Sequence, residues 1–104
     1  MFQRDGKRYC AVSDEGFRVE RSGSPMTQFV LHYVEGPRSL KYPLENLVPG
    51  SVTPITIGQI DKWNPPFTDE VISDQRKEQI AERIVSALIF LGDKSEVVQR
   101  GDST

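Results

Sequence analysis

At 104 residues, with 37% apolar and 27% charged side chains, the chain has an ordinary soluble composition and enough length for a single domain with one modest core. No apolar run approaches the roughly 18–20 residues that cross a bilayer, so no membrane partner is expected. Thirteen basic against fifteen acidic residues leave a net charge of −2. That is the wrong sign for a protein whose affinity comes from neutralising phosphates, so no nucleic-acid partner is expected either.

The lone cysteine, Cys10, and the lone histidine, His32, supply neither an intrachain disulfide nor a four-ligand zinc site. We therefore expect no metal and no cofactor, and a reducing cytoplasm suits this cysteine usage. The opening Met1-Phe2-Gln3-Arg4-Asp5-Gly6-Lys7-Arg8 carries charge without an apolar stretch, so no secretory signal is expected.

The first two-thirds of the chain repeat in steps of two. Arg8 to Ser13 sets Cys10 and Val12 against Tyr9 and Ala11, and Asp14-Glu15-Gly16 follows as a turn. Phe17 to Arg21 alternates apolar with charged, the pattern of a strand with one dry face. The stretch Ser22-Gly23-Ser24-Pro25 reads as a loop. Thr27 to Glu35 is the strongest strand signal, with Phe29, Leu31 and Tyr33 on one face and Val30, His32 and Val34 on the other. A strand apolar on both faces is central and covered, or belongs to a sheet that curls. Glu35-Gly36-Pro37-Arg38 then reverses the chain. Leu40, Tyr42 and Leu44 share one face of the next strand, where Pro43 marks an edge or bulge because it lacks an N–H. After a turn at Pro49-Gly50, Ser51 to Gln59 gives another strand centred on Ile55-Thr56-Ile57, with Pro54 as a second edge mark. Short turns throughout predict an antiparallel meander.

Asp61-Lys62-Trp63-Asn64-Pro65-Pro66-Phe67 is a connector that two consecutive prolines keep extended. Ser73 is a good N-cap, and Ile80, Ile84, Leu88 and Leu91 form one apolar stripe, predicting a helix from about Asp74 to Leu91 with Gly92 at C′. Val97-Val98 suggests a last short strand. The predicted fold is α+β: a twisted antiparallel β-sheet meander of about five or six strands with one long C-terminal amphipathic helix packed on it. Residues 1–100 form one domain and 101–104 a disordered tail.

Candidate chemistry is sparse. His32 is either a general base or, lying between Leu31 and Tyr33, a hydrogen-bonded structural histidine. Cys10 is either a nucleophile paired with it or a small buried hydrophobe. Glu35 and Glu45 flank the Gly36–Pro43 segment as a catalytic carboxylate pair or as solvated turn residues. The basic cluster Arg4, Lys7 and Arg8 is broken by Asp5 and has too few aromatics for a nucleic-acid platform. No phosphate loop, nucleophile elbow, paired helical histidines or Cys-x-x-Cys is present in the sequence. No enzyme is therefore expected and no catalytic residue is assigned. Trp63 is either a core plug at the crossover or an interface anchor. As an anchor it would be joined by Tyr33, Tyr42 and Arg38, because such residues dominate binding hot spots.

The run Tyr33-Val34-Glu35-Gly36-Pro37-Arg38-Ser39-Leu40, then Tyr42-Pro43-Leu44-Glu45, resembles the small immunity proteins of bacterial polymorphic-toxin systems. So does Ile60-Asp61-Lys62-Trp63-Asn64-Pro65-Pro66, followed by Ile72-Ser73 and the Ile80/Ile84/Leu88 helix. The likeness covers about Phe29 to Gly92. It implies a cytoplasmic antidote that binds and occludes a cognate secreted toxin domain, and it brings no catalytic residues with it. On this reading the partner-binding residues are Trp63, Tyr33, Arg38, Tyr42, Glu35 and Glu45. Two other readings stand beside it. One is a small ligand-binding or enzymatic domain with a pocket near His32, Glu35 and Tyr33. The other is an adaptor subunit that pairs through an exposed sheet edge marked by Pro43 or Pro54. Oligomeric state is left open.

Overall fold

A computed structural model of the chain describes residues 2–4, 9–23, 29–44 and 52–98. Five strands run β1 (Phe2–Arg4), β2 (Cys10–Ser13), β3 (Phe17–Ser22), β4 (Phe29–Glu35) and β5 (Arg38–Leu44). They form one open sheet in that spatial order, with every neighbouring pair antiparallel. Helix α1 (Asp74–Phe90) lies near the C-terminus, so the architecture is the α+β fold the periodicity predicts. Gly36 has a φ of 60°, which a two-residue hairpin loop with glycine first requires, and Gly36-Pro37 joins Glu35 to Arg38 in this way.

Register explains which face is dry. Ala11, Val19, Tyr33 and Leu40 stand opposite one another across four strands and all are buried. The next row on the other face, Val12, Arg18, Val34 and Ser39, is half-buried or exposed. The second apolar face of β4 is thus only partly covered. The helix closes the dry side with Ile80, Ala81, Ile84, Ala87 and Leu88, within a core that also takes in Ile55, Ile57, Ile60 and Trp63. Rings of Trp63, Tyr33, Phe17, Phe2 and Phe90 follow one another with centroids 6.2, 5.7, 5.7 and 5.6 Å apart, linking the connector to the far end of the helix.

The helix ends as its sequence dictates. Ser73 Oγ accepts from Arg76 N–H at 3.2 Å. At the C-terminus Gly92 N–H reaches Ile89 O and Asp93 N–H reaches Leu88 O, with Gly92 at φ 100°, the Schellman arrangement that satisfies the last carbonyls. Arg21 ties this end to β3 through Asp93 at 2.9 Å.

Two features depart from the predicted meander. β1 is a strand that the charged N-terminal stretch did not suggest. The strand around Ile55 does not extend the sheet: β6 (Thr53–Thr56) pairs in parallel with β7 (Ser95–Val98) as a separate two-stranded sheet, and Ile57–Gln59 is a 3₁₀ turn. A parallel pair needs a long crossover, which the connector and α1 provide. Pro43 lies in edge strand β5 and Pro54 in β6, positions that tolerate a missing donor. The turn at Pro49-Gly50, the loop residues Ser24 and Pro25, and the tail 101–104 lie outside the described residues. Among the described residues, no helix is long and apolar enough to cross a membrane.

Candidate functional site

The polar residues of the inner face gather at one end of the sheet, where β4 meets the first turns of α1. Tyr33 and Glu35 are two apart on β4, so their side chains point the same way. Tyr33 Oη donates to Glu35 Oε1 at 2.8 Å. From the helix, Arg76 reaches Glu35 Oε1 at 2.6 Å, and Arg83 contacts Tyr33 Oη at 2.9 Å and Glu35 Oε1 at 3.3 Å. The Arg83 guanidinium also sits 4.7 Å from the centroid of the Phe17 ring.

The electrostatics follow from these contacts. Burial pushes the Tyr33 phenol up to about 12, the Arg83 contact opposes that, and the Glu35 carboxylate adds to it. For Glu35, burial alone would raise the carboxyl. The hydrogen bonds from Arg76 and Tyr33 and the two arginine charges outweigh it and hold the group below its ordinary value. Arg83 loses hydration but gains Tyr33, Glu35 and Glu15, and its affinity for the proton rises. At neutral pH the phenol therefore keeps its proton, the carboxylate stays ionised and Arg83 stays cationic. Such a cluster clamps the helix to the sheet, and the shifts of Tyr33, Glu35 and Arg83 all run away from neutrality.

Beside it, the connector is fastened to edge strand β5. Arg38 Nε and Nη2 each donate at 2.8 Å to the two oxygens of Glu70, a fork-to-fork geometry that fixes direction as well as distance. The same guanidinium lies 4.6 Å from the Phe67 ring centroid. The Arg38 hydrogen bonds hold the Glu70 carboxyl below its ordinary value, and Glu70 raises Arg38 in return. Asn64 N–H donates to Ser39 O at 2.7 Å and its amide to Ser39 Oγ at 3.1 Å. Phe67 N–H to Asn64 O and Glu70 N–H to Phe67 O continue the turn. Trp63 and Ile72, both buried, anchor its two ends.

The residues expected to bind a partner divide accordingly. Trp63 is 4% exposed and packs on Tyr33, so it is the core plug at the crossover; its ring offers no surface to a partner. Tyr33 at 0% and Tyr42 at 3% are core residues too, and Tyr42 Oη accepts from Thr56 N–H, locking β6 onto β5. Glu35 and Arg38 remain partly exposed and lie at the same end of the sheet, one turn apart. Glu45 lies outside the described residues.

The pocket imagined around His32, Glu35 and Tyr33 does not assemble, because successive strand residues face opposite ways. His32 Nε2 meets Ser22 Oγ at 3.1 Å on the outer face. Cys10 shares that face, but Glu20 on the intervening strand separates it from His32. Two strand spacings put them about 10 Å apart, beyond contact for a nucleophile and its base. Two open clefts of about 300 and 370 Å³ lie between α1 and the β2–β3 hairpin and on the outer face around Val12, Arg18 and Val34, and His32, Tyr33 and Glu35 line neither. Among the described residues, no three His, Cys, Asp or Glu side chains converge as metal ligands. The edge marked by Pro43 is engaged at Ser39 by Asn64, which leaves less backbone for an added strand.

Sequence reasoning passed over Arg76, Arg83 and Glu70. Arg76 and Arg83 are seven residues apart on the helix, hence on one face and bordering the Ile80–Ile84 stripe. That spacing was a readable signal. No protein-family model, curated protein or solved structure matches the chain.

Proposed function

We propose that this chain is an antidote of the immunity-protein kind, which binds a cognate toxin domain and occludes its active site. The observation that carries the reading is the fastened connector. Residues 64–71 are largely exposed, yet the Arg38–Glu70 fork, the Asn64–Ser39 pair and the buried flanks Trp63 and Ile72 hold them against the sheet. A loop already held in one shape gives up little conformational freedom on docking, and that saving goes directly into affinity. The neighbouring Glu35 cluster stiffens the same corner without contributing reactivity, in keeping with inhibition by shape.

The test is co-expression with the toxin domain encoded beside its gene. Rescue of growth together with co-purification of the two chains is expected. A toxin that still kills, and that leaves no trace on the purified protein, would refute the proposal.

A further inference from the structure

Building on the antidote reading, we infer that the connector docks through Val71, and that the partner presents an apolar recess bordered by lysine or arginine. Val71 is 92% exposed, although the residue after it is buried and the residue before it is held by Arg38. An isolated surface valine is unremarkable on a mobile loop. Here the backbone on both sides is pinned, so the side chain is displayed at a fixed place. Its sequence neighbours are acidic. Asp61, Asp69, Glu70 and Asp74 are exposed against Lys62 alone between residues 61 and 74. Glu70 spends its charge on Arg38, whereas Asp69 and Asp74 form no ion pair among the described residues. A fixed apolar tip with unspent carboxylates around it is complementary to an apolar recess with a basic rim. Opposite charges at such a rim act chiefly on the rate of encounter.

The experiment measures binding of the toxin domain from the adjacent gene to wild type, Val71→Ser, Asp69→Lys and, on the opposite face of the sheet, Lys41→Gln. All three positions are exposed, and circular dichroism checks that each variant folds. Val71→Ser is expected to weaken binding about tenfold or more, the loss corresponding to one buried valine. Asp69→Lys is expected to slow association several-fold and to flatten its salt dependence. Lys41→Gln should bind like wild type. If wild type binds and Val71→Ser stays within about twofold of it, the inference fails while the antidote reading stands. Weakening by Val71→Ser with no change from Asp69→Lys overturns the basic rim. A wild-type dimer that Val71→Ser dissociates makes a second copy the occupant and also overturns the inference. If wild type does not bind at all, both readings fall.

Discussion

Replacing Trp63 with alanine separates a core role from a contact role. A tryptophan ring buries roughly 150–250 Å², and this one keeps only 4% of its surface in water. At about 25 cal/mol per Å² the transfer term is about 4–6 kcal/mol, an upper bound because unfolded chains are already partly compact. Loss of the stack on Tyr33, whose centroid lies 6.2 Å away, acts in the same direction. Such substitutions in cores cost about 3–5 kcal/mol, a large part of the 5–15 kcal/mol that holds a domain of this size together. With each kcal/mol worth about 4–8 °C in a small domain, the melting temperature should fall by at least about 12 °C. Thermal unfolding followed by far-UV circular dichroism reads this directly, since the variant lacks the chain's one tryptophan. In the wild type, emission from Trp63 should be blue-shifted and poorly quenched by acrylamide until unfolding. A Trp63→Ala protein that melts within about 2 °C of wild type would show that the ring does not pin the connector to the sheet.

Glu35→Gln should destabilise the protein at neutral pH by about 1 kcal/mol or less, given solvent screening of a partly exposed group. Because the folded carboxyl lies below its ordinary 4.5, its contribution is present above that value and is lost as pH falls through the folded pKa. Urea unfolding should therefore show the two proteins converging in acid. Ser73→Ala removes the oxygen that accepts from Arg76 N–H and should cost about 1 kcal/mol, with faster amide exchange at Arg76 as the local sign. Gly92→Ala meets no atom within 4 Å, so its cost is backbone strain alone. At φ 100° that is about 1–2 kcal/mol, measured by the shift in the urea midpoint.

Elements governed by local chemistry were legible in the sequence. Ser73 and Gly92 bracket α1 because caps and left-handed stops are decided within a few residues, and the alternation in β3 and β5 follows from one dry face. β1 was hidden because Phe2 is followed by polar Gln3 and Arg4; it is a strand only through pairing with β2. Ile55 announced β6 but not its partner, which lies beyond the connector and the helix. Glu35 and Arg38 stood out at the Gly36-Pro37 turn. Their partners Arg76, Arg83 and Glu70 come from other elements, and a side chain that meets its counterion across the fold leaves no local mark. Trp63 was ambiguous for a further reason. An aromatic beside prolines has the same sequence whether it points into the core or out of it, and only the packing of Tyr33 beneath it decides.

Pairing β6 with β7 has a consequence for the exposed connector that lies between them in the chain. Thr53 N–H donates to Lys94 O at 2.8 Å and Ser95 Oγ returns a bond to Thr53 O at 2.8 Å, so everything from the connector through the helix is a length of chain knotted off at its base. A polypeptide clipped just before Ser95 would retain every residue of the displayed tip and of its Arg38 fastening. It would nonetheless lose β7 and the Ser95 bond to Thr53, so the setting of the tip depends on residues that are no part of it.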